Sequence, residues 1–295
     1  MSVAAPRTDA FPPPGATDCH AHVVGPKARY PLVSPRAYTP VDAPVEALIA
    51  MLDRLGLARV VLIQTSVFGT DNSCLMDALD RLGDRGRGVV QLAPEVDGAA
   101  IDALHQRGAR GIRVNLNTTG LNDPDWAREG LVTAAAMCAR NGWHIQLFTT
   151  PAVIESLANT LMALPVPVVL DHFGLVSPVG ETPLAEAVVL RLLESGKGWV
   201  KISGTYRLPS NERPDAMAAL ARRLAAANVE HLLWGSDWPH TPPHEAHAEP
   251  EPPEAPYRDL DTNALLETIR DWFHDDPVLR AILVGNPARL YGWSG

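Results

Sequence analysis

Three apolar runs of this 295-residue chain end in residues that could do chemistry together. The first run, TDCHAHV, carries His20 and His22, and two later runs, LDHFG and WGSDWPH, carry His172 and Asp237. Side chains alternate along a β-strand, so His20 and His22 are predicted to share one face. Imidazoles and a carboxylate suit either one divalent metal ion or direct acid–base work on a substrate oxygen.

Each of these motifs alone also has an ordinary structural explanation. A lone His-x-His pair is weak evidence for a site. His172 alone fits a hydrogen-bonded structural histidine, and Asp237 alone fits a turn or helix-capping residue. Polar residues at the carboxyl ends of several barrel strands converge on one point, however, so their joint occurrence favours a functional site. We therefore take His20, His22, His172 and Asp237 as the candidate catalytic residues.

The elements that must position these residues alternate between strands and helices. Near-continuous apolar runs such as VVLIQ and PVVL are typical of parallel strands buried on both faces. The predicted strands are Ala16–Val23, Arg59–Ser66, Gly88–Ala93, Arg110–Leu116, His144–Thr149, Val166–His172, Trp199–Gly204 and Leu232–Asp237. The predicted helices are Pro44–Gly56, Asn72–Leu82, Ala99–Arg107, Trp126–Arg140, Ala152–Leu164, Pro183–Ser195, Asp215–Ala227, Thr262–Phe273 and Pro277–Leu283.

Eight strand–helix units indicate an α/β fold, a single (β/α)₈ TIM barrel with long βα loops after strands 1 and 8. The predicted barrel domain spans residues 16–295, after a Pro-rich lead-in of residues 1–15. A doubly wound open sheet is the alternative, but no GxGxxG follows the first strand. The two long segments, Val23–Val41 and Thr241–Arg258, follow predicted strand ends. Each segment is either a lid over the substrate or a solvent-exposed loop without that role.

Composition excludes several classes of protein. An apolar fraction of 46% with 20% charged residues is ordinary for a globular protein, and the formal net charge is −9. Without a basic cluster, nucleic-acid binding is not expected, and local arginines must hold any anionic substrate. The sequence shows no membrane-length apolar run and no signal-peptide core. We therefore expect a protein that does not bind membranes. Three scattered cysteines fit a reducing compartment, so we expect the cytoplasm.

The motifs DCHAH, DHFG, WGSDWPH and the closing GNPARLYGW together resemble the amidohydrolase superfamily. The branch most similar to this chain contains 2-pyrone-4,6-dicarboxylate lactonase and related sugar lactonases, and the resemblance runs from Thr17 to Trp293. It implies a hydrolase that opens a small carboxylated lactone, such as a pyrone, a muconolactone or a sugar-acid lactone. In that reaction Asp237 would be the general base, while the three histidines would polarise the carbonyl.

The same resemblance implies substrate-binding residues. Arg113 and Arg207 would hold a substrate carboxylate, since guanidinium meets carboxylate with paired hydrogen bonds, although a structural ion pair is the alternative for each. Tyr38 and Ser66 match substrate-contacting positions of the pyrone lactonase. That enzyme has an additional arginine after strand 4, where this chain has Asn117 and Thr118, and a tyrosine near Gln146 and Phe148. Asn117 and Gln146 are therefore predicted to bind a substrate with fewer carboxylates or more hydroxyls.

The resemblance also leaves the cofactor open. A site without an obligatory metal is favoured, because the pyrone lactonase works without a metal ion. The alternative is one divalent ion, zinc or manganese, on His20, His22, His172 and Asp237. Asn115 and Asn117 stand where a bridging lysine or glutamate would support a second ion. The alternative functions are a mononuclear zinc hydrolase or decarboxylase of an aromatic-derived acid, a lactone isomerase, and a non-enzymatic binding protein.

The remaining expectations concern partners and the other histidines. The expected partner is a small anionic lactone, and a homodimer is left open. His240 is expected to cap or support the site, His244 and His247 to be solvent-exposed, and His144 to be structural at the bottom of the barrel.

Overall fold

The computed structural model describes residues 10–117, 123–242 and 249–293. In chain order, its strands are β1 Thr17–Ala21, β2 Thr39–Pro40, β3 Arg59–Ile63, β4 Gly86–Val90, β5 Ala109–Asn115, β6 His144–Phe148, β7 Val168–Leu170, β8 Gly198–Ser203, β9 Leu232–Gly235 and β10 Glu254–Ala255. Eight of them form one parallel sheet in the order β1-β3-β4-β5-β6-β7-β8-β9. All eight predicted strands are confirmed.

Backbone contacts between the first and last barrel strands close the sheet. The amide of His22 donates to the carbonyl of Trp238 at 2.7 Å, and the amide of Asp237 donates to the carbonyl of His20 at 2.8 Å. A further parallel bridge joins Ala21 to Trp238. The predicted (β/α)₈ barrel is therefore confirmed, and the closure brings two candidate catalytic segments side by side.

Helices lie between the strands. They are α1 Val45–Leu55, α2 Ser73–Leu82, α3 Gly98–Gln106, α4 Pro124–Ala139, α5 Pro151–Ser156, α6 Ala158–Ala163, α7 Pro183–Glu194, α8 Pro214–Asn228, α9 Thr262–Trp272, α10 Asp276–Arg280 and α11 Asn286–Tyr291. In the part of the chain that the structure describes, no helix combines the length and the apolar character needed to cross a bilayer.

Two helix predictions need correction. The single helix predicted over Ala152–Leu164 is two short helices, because the backbone of Leu157 (φ −98°, ψ 8°) leaves the helical range between them. The last helix continues from α10 through a π-helical turn, Ala281–Gly285, into α11. Pro287, which has no N–H to donate, lies directly after the π-helical turn, and the helix continues past it although a proline usually marks a helix end.

Two hydrophobic clusters stabilise the barrel. The larger packs the outward faces of the strands against the helices, and a smaller one contains Val61, Val89, Val169, Trp199 and Leu233 from alternate strand positions. Strict alternation predicts Cys19 on the opposite face from His20. The register between β1 and β3 shifts between Asp18 and Ala21, however, and Cys19 belongs to the smaller cluster inside the barrel.

The two long loops meet over the mouth of the barrel. β10 pairs in parallel with β2, and an antiparallel bridge joins Arg36 to Glu249. The hydroxyl of Thr39 also donates to the carbonyl of Pro252 at 2.6 Å. The described parts of both segments are thus tied to each other, while His244 and His247 lie outside the described residues.

Candidate active site

The four candidate catalytic residues meet at the carboxyl end of the barrel. All four are buried. Oδ1 of Asp237 lies 3.7 Å from Nε2 of His20 and 3.5 Å from Nε2 of His22, and the rings of His20 and His172 have centroids 4.7 Å apart. Residues separated by more than 200 positions in sequence thus share one centre, as the strand-end motifs predict.

The outer partners of the histidines determine which ring nitrogen carries the proton. Nδ1 of His22 lies 2.8 Å from the carbonyl oxygen of Ile63, and Nδ1 of His20 lies 3.3 Å from Oδ1 of Asp171. The carbonyl of Ile63 only accepts hydrogen bonds, so we assign the proton of neutral His22 to Nδ1, whereas Nδ1 of His20 also lies 3.5 Å from the ammonium of Lys201. Nε2 of His22 is then a bare acceptor, and Nε2 of both rings faces Asp237.

Nε2 of both histidines and Oδ1 of Asp237 therefore converge on one point. Nε2 of His20 and Oδ1 of Asp237 are buried and have no hydrogen-bond partner. Ligands at about 2.1 Å from a tetrahedral zinc would be roughly 3.4 Å apart, close to the separations of His20 and His22 from Asp237. The group His20, His22 and Asp237 thus fits one divalent ion.

His172 occupies a different place from the other three. It falls into a second group with His20 and Asp171, and its Nδ1 lies 3.0 Å from the hydroxyl of Ser203. Its ring lines the cavity, with Phe148 edge-on at 5.2 Å between centroids. Of the four predicted metal ligands, His172 is thus the one whose geometry departs from a compact ligand set.

Charge distribution keeps the carboxylate of Asp237 ionised and the three imidazoles neutral. Burial disfavours the carboxylate of Asp237, but Arg207 and the nearby His172 hold its pKa well below the usual range. Nε of Arg207 donates to Oδ2 of Asp237 at 2.5 Å, and the hydroxyl of Tyr206 donates to the same oxygen at 2.7 Å. Burial lowers the pKa of His20, His22 and His172, the last to about 4.

The backbone at two strand ends is strained. Four consecutive residues from His172 to Leu175 have φ between 50° and 65°, which makes one left-handed turn. Asp237 also has a positive φ of 61°. Non-glycine residues in this conformation cost free energy, and such strain concentrates where a side chain must be aimed. At both places the turn aims a candidate catalytic side chain into the cavity.

Two glycines leave room for the histidines. A Cβ on Gly235 would lie 2.5 Å from Cβ of His20, and a Cβ on Gly204 would lie 2.6 Å from Nδ1 of His172. Only residues without a Cβ fit this close to the two rings. The glycines of WGSD and ISGTYR therefore belong to the architecture of the site.

A cavity opens above Asp237. Tyr38, Ser66 and Arg113, three of the predicted substrate-binding residues, line it. Nη1 of Arg113 donates to the carbonyl of Gln64 at 2.5 Å, whereas its buried Nε has no partner. Within the described ranges, no carboxylate lies at salt-bridge distance from Arg113. Its charge is thus unmatched inside the site.

The structure places three other predicted substrate ligands differently. Arg207 lines the cavity, but its guanidinium is already paired with Asp237, and its Nη2 donates to the hydroxyl of Thr241 at 2.6 Å. Gln146 is fully buried and does not line the cavity. Asn117 follows the end of β5 outside the lining residues, and Thr118 lies outside the described residues.

Sequence reasoning missed a buried lysine and a tyrosine. Lys201 is completely buried inside the barrel, with its Nζ 3.5 Å from Nδ1 of His20. A lysine in the middle of the apolar run WVKIS is the signal that could have found it, because a buried ammonium needs partners. Tyr206 precedes the predicted Arg207, and its hydroxyl lies 3.4 Å from Nδ1 of His240, the expected supporting residue.

Known proteins resemble this chain over nearly its whole length. The family model described as amidohydrolase matches residues 17–293. The 4-sulfomuconolactone hydrolase of Hydrogenophaga intermedia is 32% identical and covers 95% of this chain and 89% of its own. The 2-pyrone-4,6-dicarboxylate hydrolase of Comamonas testosteroni is 31% identical, with 95% and 90% covered.

A solved structure shares the fold as well. The probable 2-pyrone-4,6-dicarboxylic acid hydrolase of Acinetobacter baumannii, solved with citric acid bound, superimposes with a TM-score of 0.76 at 29% identity. The superposition covers 94% of this chain and 99% of the other. The site motifs, the closed barrel and the match of residues 17–293 agree, and this chain belongs to the amidohydrolase family.

Proposed function

We propose that this protein hydrolyses a small lactone that carries a carboxylate. The observation that carries the proposal is the bare, buried Oδ1 of Asp237, which faces two imidazoles in a cavity lined by the unmatched guanidinium of Arg113. Two relatives that are more than 30% identical are named as hydrolases of carboxylated or sulfonated lactones, which supports this reaction class.

Asp237 is the proposed general base. Arg207 and Tyr206 anchor its Oδ2, so Oδ1 stays directed at the cavity. An ionised carboxylate oxygen without a hydrogen-bond partner can accept the proton of an attacking water. The same carboxyl group can then return the proton to the leaving ring oxygen, which becomes the new hydroxyl as the lactone C–O bond breaks.

The imidazoles are proposed to act on the lactone carbonyl. If a divalent ion is bound, His20, His22 and Asp237 would hold it, and it would supply Lewis-acid polarisation of the carbonyl and ease deprotonation of water. His172 lines the cavity without belonging to that ligand group, so it is the imidazole available to stabilise the developing oxyanion.

Arg113 is the proposed anchor of the substrate carboxylate. A buried cation without a carboxylate partner is costly, and a charge-assisted hydrogen bond from a bound anion offsets that cost. Tyr38 and Ser66 line the same cavity and can contact the remaining polar groups of the substrate. With Arg207 already paired to Asp237, the site favours a substrate with one carboxylate near Arg113 over one that needs two arginines.

A substrate panel tests the proposal. Purified protein is incubated with 2-pyrone-4,6-dicarboxylate, muconolactones and aldonolactones, each with added zinc, with added manganese and after chelator treatment, and products are identified by NMR. Ring opening to the hydroxy acid is the expected result. Transfer of the acyl group to another hydroxyl of the same molecule would identify an isomerase instead. Absence of turnover across the panel under all three metal conditions would refute a lactonase function.

A further inference from the structure

Asp18 and Ser236 join the first and last barrel strands next to the candidate site. Both side chains are completely buried, Asp18 in β1 and Ser236 directly after β9. Oδ1 of Asp18 accepts hydrogen bonds from the amides of His20 at 3.0 Å and Ser236 at 2.9 Å. Oδ2 of Asp18 accepts the hydroxyl of Ser236 at 2.5 Å. One carboxylate therefore binds the backbone at His20 and at the residue that precedes Asp237.

The hydroxyl of Ser236 also bridges the strained backbone of Asp237. Its Oγ accepts the amide of Trp238 at 2.9 Å, so this hydrogen bond spans Asp237, whose φ is 61°. Serine hydroxyls form local turns of this kind with the backbone two residues later. An ionised carboxylate only accepts hydrogen bonds, so the hydroxyl proton of Ser236 points to Asp18 and its lone pairs face Trp238. The two hydrogen bonds of the hydroxyl are therefore compatible with each other.

The carboxylate of Asp18 supplies an acceptor where the barrel closes. β1 and β9 are the two ends of the sheet order, and an isolated bridge between Ala21 and Trp238 joins the segments that follow them. A buried amide without an acceptor is costly, and Asp18 accepts amides from both of these segments. Neither Asp18 nor Ser236 lines the cavity, so both can act on the site only through their neighbours.

We propose that Ser236, held by Asp18, is a positioning residue for Asp237. The hydrogen bond across Asp237 keeps its backbone left-handed, which leaves its Oδ1 3.5 Å from Nε2 of His22. The proposal rests on the proposed function only for its effect on turnover, because the direction of Asp237 is a property of the free protein. Misplacement of a reacting group by about 1 Å can lower turnover by about 10²-fold.

The first test compares crystal structures of the wild-type protein, Ser236→Ala and a matched control. The control is Ser177→Ala, where another completely buried serine donates to a carboxylate, that of Glu181, and does not line the cavity. In Ser236→Ala alone, φ of Asp237 should leave the left-handed region, and its Oδ1 should move away from Nε2 of His22 by about 1 Å. An unchanged Asp237 in Ser236→Ala would overturn the proposal, even if the wild-type protein hydrolyses no lactone.

Turnover below the melting temperature of each variant gives the second readout. Because Ser236 does not line the cavity, kcat of Ser236→Ala should fall by about 10²-fold while KM changes by less than about threefold. If Ser236→Ala does not fold, Ser236→Cys takes its place, since a thiol is a weak donor and a weak acceptor, and the same changes are expected at smaller size. Lower melting temperatures in both serine variants with wild-type kcat in each would show a purely structural hydrogen bond and overturn the proposal.

Discussion

The two carboxylate oxygens of Asp237 have opposite environments. Oδ2 accepts hydrogen bonds from Arg207 and Tyr206, while Oδ1 is buried with no donor. This asymmetry orients the carboxylate of Asp237 and leaves the lone pairs of Oδ1 without a protein donor. The same division occurs in His20 and His22, where Nδ1 is engaged and Nε2 faces the centre.

Replacement of the bare oxygen tests the assignment of the base. Asp237→Asn keeps an oxygen that Arg207 can bind, so the fold should survive. Loss of the proton acceptor should lower kcat by about 10²–10⁴-fold. Steady-state kinetics on the best lactone measures this, with the exposed Asp259→Asn as the control. Turnover within threefold of the wild-type value would remove Asp237 from the proton-transfer role.

Arg113→Met tests the carboxylate anchor. A hydrogen bond to a charged group contributes about 1.5–3 kcal/mol, so KM for a carboxylated lactone should rise by roughly 10–100-fold. KM for an uncharged lactone should not change. The exposed Arg191→Met on α7 is the control. Equal loss on charged and uncharged substrates, together with a lowered melting temperature, would assign Arg113 a structural role instead.

At the scale of elements, the left-handed turn after β7 decides where His172 points. The turn continues through Phe173, Gly174 and Leu175, and Phe173 is fully buried with its ring 5.9 Å from that of Trp272. Packing of this kind can hold a strained backbone in place. A regular helix starting at His172 would direct the imidazole elsewhere.

Strain at Leu175 should reverse the usual order of stability between alanine and glycine variants. At φ 53°, glycine is unstrained and alanine is not, so Leu175→Gly should be more stable than Leu175→Ala by about 1 kcal/mol. At Leu190 within α7, alanine should be the more stable by a similar amount, about 1 kcal/mol. Urea unfolding of the four variants measures both differences. The same ranking at the two positions would argue against strain at Leu175.

At the scale of the whole molecule, the candidate site and the residues that close the barrel by packing lie at opposite ends of the strands. The site lies at the carboxyl ends of the strands, while the opposite end is closed by packing. There His144, at the start of β6, is buried with its ring edge-on to Tyr291 at 5.2 Å. Neither nitrogen of this imidazole has a hydrogen-bond partner, so protonation would place an unpaired charge in the interior.

The pH dependence of folding should reflect this buried histidine. Burial lowers the pKa of His144 from 6.5 to about 3, so below pH 6.5 the unfolded chain binds the proton first and stability falls until about pH 3. His144→Leu should reduce the slope of unfolding free energy against pH by about 1.4 kcal/mol per unit in this window. Urea melts between pH 7 and 4.5 measure the slope.

The exposed His274→Leu is the matched control for this prediction. It removes an exposed imidazole instead of a buried one. An unchanged slope in His144→Leu would show that His144 is protonated equally in the folded and unfolded states.

The sequence alone determined the barrel and the candidate centre. Apolar runs of strand length, separated by helical segments, predict eight parallel strands, and the motifs DCHAH, DHFG and WGSDWPH place three histidines and Asp237 at strand ends. These features are local, since periodicity and strand-end position can be counted along the chain. The split of α5 from α6 and the π-helical turn were not predictable, because tertiary packing overrides local preference there.

Only the tertiary structure decided which charges meet. In the sequence, Arg207 and Arg113 are both arginines near the end of a barrel strand and are predicted to do the same thing. In the structure Arg207 pairs with Asp237, whereas Nε of Arg113 is buried without a hydrogen-bond partner. Gln146 and Lys201 face the same interior from different strands and bind each other below the cavity. Such pairings depend on distances of a few ångströms across a closed barrel, and residue types and spacing along one chain do not contain those distances.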